Sequence, residues 1–330
     1  MSPARRRLVG GLDLGGTKIQ AVVLDGRRNV IGQARSATPE TGGAQDVILG
    51  LVSTLSSACA DAGIEVAELT GVGVGAPGVI DQRRGTITGA GNLPGEGAEI
   101  PVATGMKTLA DVRAYVDNDV TVGVHAEYAL GAARRSKSVL GVWWGTGVGG
   151  GLVLNGKTWE GRGAAAELGH VVVRIGGAHC TCGRRGCLEA YAGRGAMEIR
   201  ARKEQKNGRK TDLFKIMEKR GRPRLTSGVW ARALEADDKL AHELIDRAIE
   251  ALGAGVGSAV NLLDVETVVI GGGLGTRLGE PYVERIRDAM MPHLFVDTRP
   301  PAVRLAALGD LGGAIGAALL VPRTAASRKT

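Results

Sequence analysis

The chain has 330 residues, 44% of them hydrophobic, enough to bury the cores of two ordinary domains, and its 53 glycines follow no collagen-like period, so a fibrous or disordered chain is not expected. A net charge of +8, with basic residues gathered at the two ends (Arg5, Arg6, Arg7; Arg323, Arg328, Lys329), fits solvated ends or an anionic substrate better than nucleic acid. No apolar run approaches the roughly 18 residues of a membrane span, and no apolar signal core follows the first arginines, so a cytoplasmic protein without a membrane partner is expected.

Residues 8–13 read as a strand and 19–24 as its partner, joined by Leu14-Gly15-Gly16-Thr17-Lys18. A glycine turn with a hydroxyl and a lysine suits phosphate, because backbone N–H groups can crowd an anion only where side chains are absent. It is not a Walker A loop, since G-x-x-x-x-G-K-[ST] is missing and the turn joins two strands. A plain hairpin turn is the competing reading. Helical spacing over 46–63 (Val47, Leu51, Leu55, Ala58) stops at Gly63, and Cys59 within it is expected to be a small core residue. Residues 71–78 form a buried strand running into a sharp turn at Ala76-Pro77-Gly78. Gly73-x-Gly75-x-x-Gly78 and Gly145-x-Gly147-x-x-Gly150 both fit the dinucleotide fingerprint, yet neither opens a helix in a βαβ unit, so a dehydrogenase is not expected.

A polar loop over 88–95 carries Asn92, a helix follows near 101–109, and a strand at 114–116 delivers Asp117-Asn118-Asp119 to the start of a helix over 120–130. Two carboxylates flanking an amide at such a junction suit a general base, and suit a helix N-cap equally well.

The second half repeats the opening: strand 139–144, glycine loop 145–151, strand 152–154. Thr267-Val-Val-Ile-Gly-Gly-Gly273 likewise echoes Thr70-Gly-Val-Gly-Val-Gly75. Two similar halves, each with a hairpin loop suited to phosphate, predict a duplicated two-lobe fold closing on a nucleotide, and hence a phosphotransferase.

Between these repeats stand Glu167-Leu-Gly-His170 and Cys180-Thr-Cys182-Gly-Arg-Arg-Gly-Cys187-Leu-Glu189. Three thiolates and the His170 imidazole fill a tetrahedral zinc shell with no position left for water, the pattern of a structural site. His179 is a rival fourth ligand. A disulfide is the bland alternative, but three cysteines cannot pair among themselves. Zinc would hold Glu167 and Glu189 near each other, and it is expected to organise a substrate pocket while leaving the phosphate loops alone. Segments 196–219 and 228–260 read as helices with charged outer faces, and residue 309 begins the last helix.

Taken in order, Asp13-Leu-Gly-Gly-Thr-Lys18, Gly75-Ala-Pro-Gly78, Asn118-Asp119, Gly145-Thr-Gly147, Glu167-x-Gly-His170, the cysteine cluster and Gly271-Gly-Gly273 resemble the motifs of the ROK family (repressors, open reading frames, kinases), and within it the bacterial glucokinase branch. The resemblance spans residues 8–322. It implies an α/β fold of the two-lobe actin-like ATPase type (ribonuclease H-like, duplicated) with a small zinc-binding element. The N-terminal lobe would be 1–120 joined by a closing helix at 309–322, the second lobe 121–308 with the zinc cluster at 170–187, and the tail 323–330 basic. The implied activity is ATP-dependent phosphorylation of a hexose at its 6-hydroxyl, glucose first, with Mg²⁺ accompanying ATP.

By motif matching, Asp119 would be the general base, and Gly78, Asn92, Asn118, Glu167, His170 and Glu189 would join it around the sugar. Gly15, Gly16, Thr17, Lys18, Thr146 and Gly147 would hold phosphates, Gly272 and Gly273 would lie under the adenosine, and Asp13 would help place Mg²⁺. Structural zinc would sit on His170, Cys180, Cys182 and Cys187, and a homo-oligomer (dimer or tetramer) is expected. Three departures stand out: Ala166 where many relatives have glycine, Val120-Thr121 after the aspartate, and Trp143-Trp144 before the second loop. An N-acetylmannosamine or N-acetylglucosamine kinase is the same-class rival. A sugar-responsive repressor would need a helix-turn-helix domain ahead of the first strand, where only seven residues stand.

Overall fold

A strand points successive residues to opposite faces of its sheet, and the first strand of this chain meets a helix on each. The computed structural model describes residues 7–90, 93–95 and 97–323. Its first sheet is formed by β1 (Val9–Leu14), β2 (Lys18–Leu24), β3 (Val30–Ala37), β4 (Val72–Ala76) and, after a small hairpin of β5 (Val79–Asp81) and β6 (Thr86–Thr88), β7 (Ala114–Asn118). The strand order is β3-β2-β1-β4-β7, with β2 antiparallel to both neighbours and β4 and β7 parallel to β1. A Cβ on Gly10 would stand 2.8 Å from Leu55 of the helix Ala44–Asp61, and one on Gly11 would stand 2.0 Å from the Ala314 carbonyl of the helix Gly312–Ala318. At Gly73 it would stand 1.7 Å from the Ala317 carbonyl. Glycine in these strands therefore lets the closing helix lie directly on the sheet backbone.

Residues up to Gly131 and from Leu308 onward form one compact unit, and Ala132–Ala307 form the other. The division falls beyond residue 120, where sequence alone places it, because the helix Asp119–Ala129 packs within the first unit: a Cβ on Gly316 would stand 1.9 Å from the Val122 carbonyl.

The second unit repeats the first sheet strand for strand. β8 (Val139–Trp144), β9 (Val148–Leu154), β10 (Lys157–Thr158), β11 (Thr267–Gly271) and β12 (Ala302–Leu305) run in the order β10-β9-β8-β11-β12. The pairing senses are also the same, antiparallel on the β9 side of β8 and parallel on the β11 side. Each unit buries its own core, one around Leu12, Leu51, Val74 and Met106, the other around Trp144, Leu188, Trp230 and Leu252.

Several elements differ from the sequence expectation. β3 and β12 were not anticipated; both are partly exposed edge strands with weak apolar alternation. The expected helix over 196–219 is interrupted between Lys206 and Leu213, and that over 228–260 breaks at Asp237, which has φ +54°. Asp238 then caps a new helix, Lys239–Leu263, by accepting from the Ala241 N–H at 2.8 Å. The helices Gly272–Leu278 and Glu280–Met290 were hidden by glycines and by Pro281, which sits in a first turn where proline is tolerated. Among the described residues no helix is long and apolar enough to cross a membrane. Arg5, Arg6, Arg328, Lys329 and most of the basic tail lie outside the described residues.

Candidate functional site

In the first unit β1 ends on Asp13 and Leu14, and the turn through Gly15, Gly16 and Thr17 is tied into a hairpin. Gly15 N donates to the Lys18 carbonyl at 2.9 Å, and Thr38 closes the turn from β3's end, its hydroxyl donating to the Gly15 carbonyl at 2.6 Å and its N–H to the Thr17 carbonyl at 3.3 Å. Thr38 was not singled out in the sequence. Lys18 Nζ donates to Gln20 Oε1 at 3.2 Å and lies 3.8 Å from Asp310 Oδ2. Asp13 faces the start of the helix Gly312–Ala318, where a Cβ on Gly313 would come within 2.6 Å of its Oδ2. Burial, with the Asp119 charge second, pushes the Asp13 carboxyl up to about 6, against the opposing pull of Lys18.

In Asp117-Asn118-Asp119 the helix cap falls to the amide. Asn118 Oδ1 accepts from the N–H groups of Val120 (3.0 Å) and Thr121 (3.1 Å), so the amide is the N-cap. Asp117 is buried and accepts from the Asn118 N–H at 2.7 Å. Asp119, half-buried, opens the helix. Gly78 adopts φ +92°, and a Cβ there would stand 2.5 Å from the Thr88 carbonyl, so its backbone alone demands glycine. Asn92 lies outside the described residues.

In the second unit the equivalent turn, Gly145-Thr146-Gly147, joins β8 to β9. Gly145 N donates to the Gly147 carbonyl at 2.9 Å, and the N–H groups of Arg194 and Gly195 donate to the Gly145 and Thr146 carbonyls at 3.1 and 3.0 Å. Arg194 Nη2 also donates to the Thr146 hydroxyl at 2.6 Å. Arg194 escaped the sequence reading, its one signal being a charge between Gly193 and Gly195. The Trp143-Trp144 pair supports the glycines of the next strand end. Trp144 is fully buried and donates Nε1 to the Ala192 carbonyl at 2.7 Å, and its backbone N and O would stand 2.7 Å from a Cβ on Gly272 (φ +79°). A Cβ on Gly271 would stand 3.1 Å from the Trp143 ring, and one on Gly145 only 3.7 Å from Gly273 N, so the two glycine segments lie side by side.

The motif Glu167-x-Gly-His170 packs on β9. Its glycine is dictated by contact, since a Cβ on Gly169 would stand 2.1 Å from the Val148 carbonyl. Ala166 just before it holds φ +62°. His170 Nε2 lies 3.9 Å from Glu167 Oε2, and its Nδ1 lies 3.8 Å from Cys180 Sγ. Glu189 begins the short helix Glu189–Ala192; its Oε2 accepts from the Val148 N–H at 2.9 Å.

The ligand atoms of His170, Cys180, Cys182 and Cys187 lie within 4.8 Å of one another. Cys182 and Cys187 Sγ are 3.7 Å apart, too far for a disulfide and close to the about 3.8 Å edge of a tetrahedron with ~2.3 Å Zn–S bonds. His179, the rival ligand, is engaged with the Arg185 guanidinium instead. The Arg184 N–H holds the Cys182 thiol down to about 6, whereas burial pushes Cys187 up to about 11. The donor set and its spacing fit zinc.

Two α/β units of one strand order, each with a glycine hairpin between its first two strands, the second carrying the Cys₃His cluster, define the fold of the ROK sugar kinases. The chain belongs to the ROK family, which it matches over residues 9–324. It is 31% identical to a glucokinase of Thermotoga maritima over 94% of this chain and 96% of that one. It is 32% identical to an N-acetyl-D-glucosamine kinase of Pectobacterium atrosepticum over 94% of this chain and 97% of that one. The solved structure of a ROK family glucokinase from Streptomyces griseus, in complex with glucose and AMPPNP, superposes with a TM-score of 0.80 at 29% identity, covering 95% of this chain and 98% of that one.

Proposed function

We propose that the protein is an ATP-dependent hexose kinase that phosphorylates the sugar 6-hydroxyl, with glucose as the preferred substrate and Asp119 as the general base. The observation that carries the reading is the division of labour in Asp117-Asn118-Asp119. The amide takes the cap, and of the two carboxylates, each of which accepts from the N–H of the residue after it, Asp117 is buried whereas Asp119 stands half-buried at the helix start. Phosphoryl transfer asks the protein mainly to position the reactants and neutralise charge. The turns at Gly15, Gly16 and Thr17, with Lys18, and at Thr146 and Gly147 are assigned to the phosphates, and Gly272 and Gly273 to the adenosine. Asp13 would hold Mg²⁺, which supplies charge neutralisation at the phosphates. Gly78, Asn92, Asn118, Glu167, His170 and Glu189 are assigned to the sugar, and structural zinc to His170, Cys180, Cys182 and Cys187.

A second reading, phosphorylation of an N-acetylhexosamine, has support in the 32% identity to an N-acetyl-D-glucosamine kinase, against 31% to the glucokinase. An ADP-release assay over glucose, mannose, N-acetylglucosamine and N-acetylmannosamine separates the two: the highest kcat/KM is expected with glucose, and a higher value for an N-acetylated sugar selects the second reading. Asp119→Asn is expected to cut turnover by about 10²–10⁴-fold while largely keeping glucose affinity, as for loss of a positioned base. A larger rate loss in Asp117→Asn would move the base to that residue.

A further inference from the structure

Three pieces of the second unit meet at one residue, Val148, the first of β9 after the glycine turn. Its N–H is held by Glu189 Oε2 at 2.9 Å, and its carbonyl lies against Gly169 of Glu167-x-Gly-His170, where a Cβ would come within 2.1 Å. The same Glu189 carboxylate presses on Gly147, since a Cβ there would stand 2.1 Å from Oε2. Its other oxygen, Oε1, faces the cysteine cluster, 3.5 Å from the Thr181 hydroxyl and 4.0 Å from Cys180 Sγ. Glu189 is itself set two residues beyond the ligand Cys187, and Gly169 immediately precedes the ligand His170.

We propose that Glu189 is a positioning residue that ties the metal cluster to the second glycine turn, so that the metal fixes the Gly145-Thr146-Gly147 loop and with it nucleotide affinity. The sequence led to the opposite expectation, that the metal shapes the sugar pocket and leaves the phosphate loops alone. A carboxylate can bridge the two because it accepts on both oxygens, and a hydrogen bond from a buried N–H to a charged acceptor is stronger than a neutral one. With the cluster collapsed, nothing on its side fixes Oε1, and the Val148 N–H loses an oriented acceptor. The nucleotide half of the proposal rests on the reading that assigns the Gly145-Thr146-Gly147 loop to the phosphates; the tie between the cluster and Val148 does not.

The test compares metal-bound and chelated protein by metal content, hydrogen exchange at the Val148 amide, and AMPPNP affinity measured without sugar. Chelation is expected to speed exchange at Val148 and to weaken AMPPNP binding by about tenfold, the scale at which outer partners of a metal site act. Glu189→Ala should reproduce both effects while keeping its metal, and chelating that variant should add little. Glu189→Gln, whose amide oxygen can still accept from Val148, should restore most of the exchange protection. Unchanged Val148 exchange and AMPPNP affinity in metal-bound Glu189→Ala would overturn the proposal, whatever happens to glucose binding. So would a full further loss when that variant is chelated. Failure to phosphorylate any hexose would sink the proposed activity and leave the exchange result standing.

Discussion

Asp13 is a carboxyl group whose surroundings make it titrate well above the usual carboxylate range. Burial and the Asp119 charge raise it to about 6, with Asp310 adding to the rise and Lys18 opposing it. A group whose folded-state pKa is raised favours the folded protein below its ordinary carboxylate value, and this advantage is lost as pH climbs toward 6. In the role proposed for it, Asp13 would hold Mg²⁺ in its ionised form, so below pH 6 the metal would have to displace a proton. Mg²⁺-nucleotide affinity should therefore fall as pH drops below about 6, by up to tenfold per unit, the limit for competition with one proton. Titration calorimetry between pH 5 and 8 checks this. Asp13→Asn should bind Mg²⁺-nucleotide weakly and with a shallower slope, only that of the nucleotide's terminal phosphate remaining, and an unchanged slope in that variant would assign the pH dependence to another group.

The turn before Glu167-x-Gly-His170 shows how an element can be legible while its detail is not. Ala166 holds a left-handed conformation that favours glycine, and a side chain there costs about 1 kcal/mol. Ala166→Gly is expected to raise stability by about that amount in urea unfolding, with an unchanged slope. A loss would mean that the Ala166 methyl, which packs against the second core, contributes more than the strain removes. The motif glycines were visible as a pattern, but their cause lies in partners distant in sequence: Gly11 and Gly73 under Ala314 and Ala317, Gly169 against Val148. The four candidate metal ligands within eighteen residues could be read as a group, and their donor atoms do come together, because spacing and donor chemistry are local properties. Thr38, Arg194 and the bridging role of Glu189 could not, since each acts through a contact that only the fold creates. The break at Asp237 was present in the sequence as an Asp-Asp pair, a cap signal overridden by the long apolar periodicity on either side.

On the scale of the whole chain, the same strand order and pairing senses occur twice, and each unit closes its own core. The candidate metal ligands lie entirely within the second unit, and both Leu168 and Leu188, neighbours of those residues, belong to that unit's core. Leu188 packs on the helix Lys239–Leu263, where a Cβ on Gly255 would stand 2.9 Å from its Cδ2. The core of the first unit around Leu12 and Leu55 draws its buried members from residues 8–116. A structural metal contributes its binding energy to the part of the fold that forms its site. Chelation should therefore speed amide exchange in β9, in the cluster and along Lys239–Leu263, while β1, β4 and Gly312–Ala318 keep their protection. Hydrogen exchange read by mass spectrometry under native conditions resolves these segments. Equal acceleration in both units would show that they open as one cooperative body, with the metal stabilising the whole chain rather than the half that holds it.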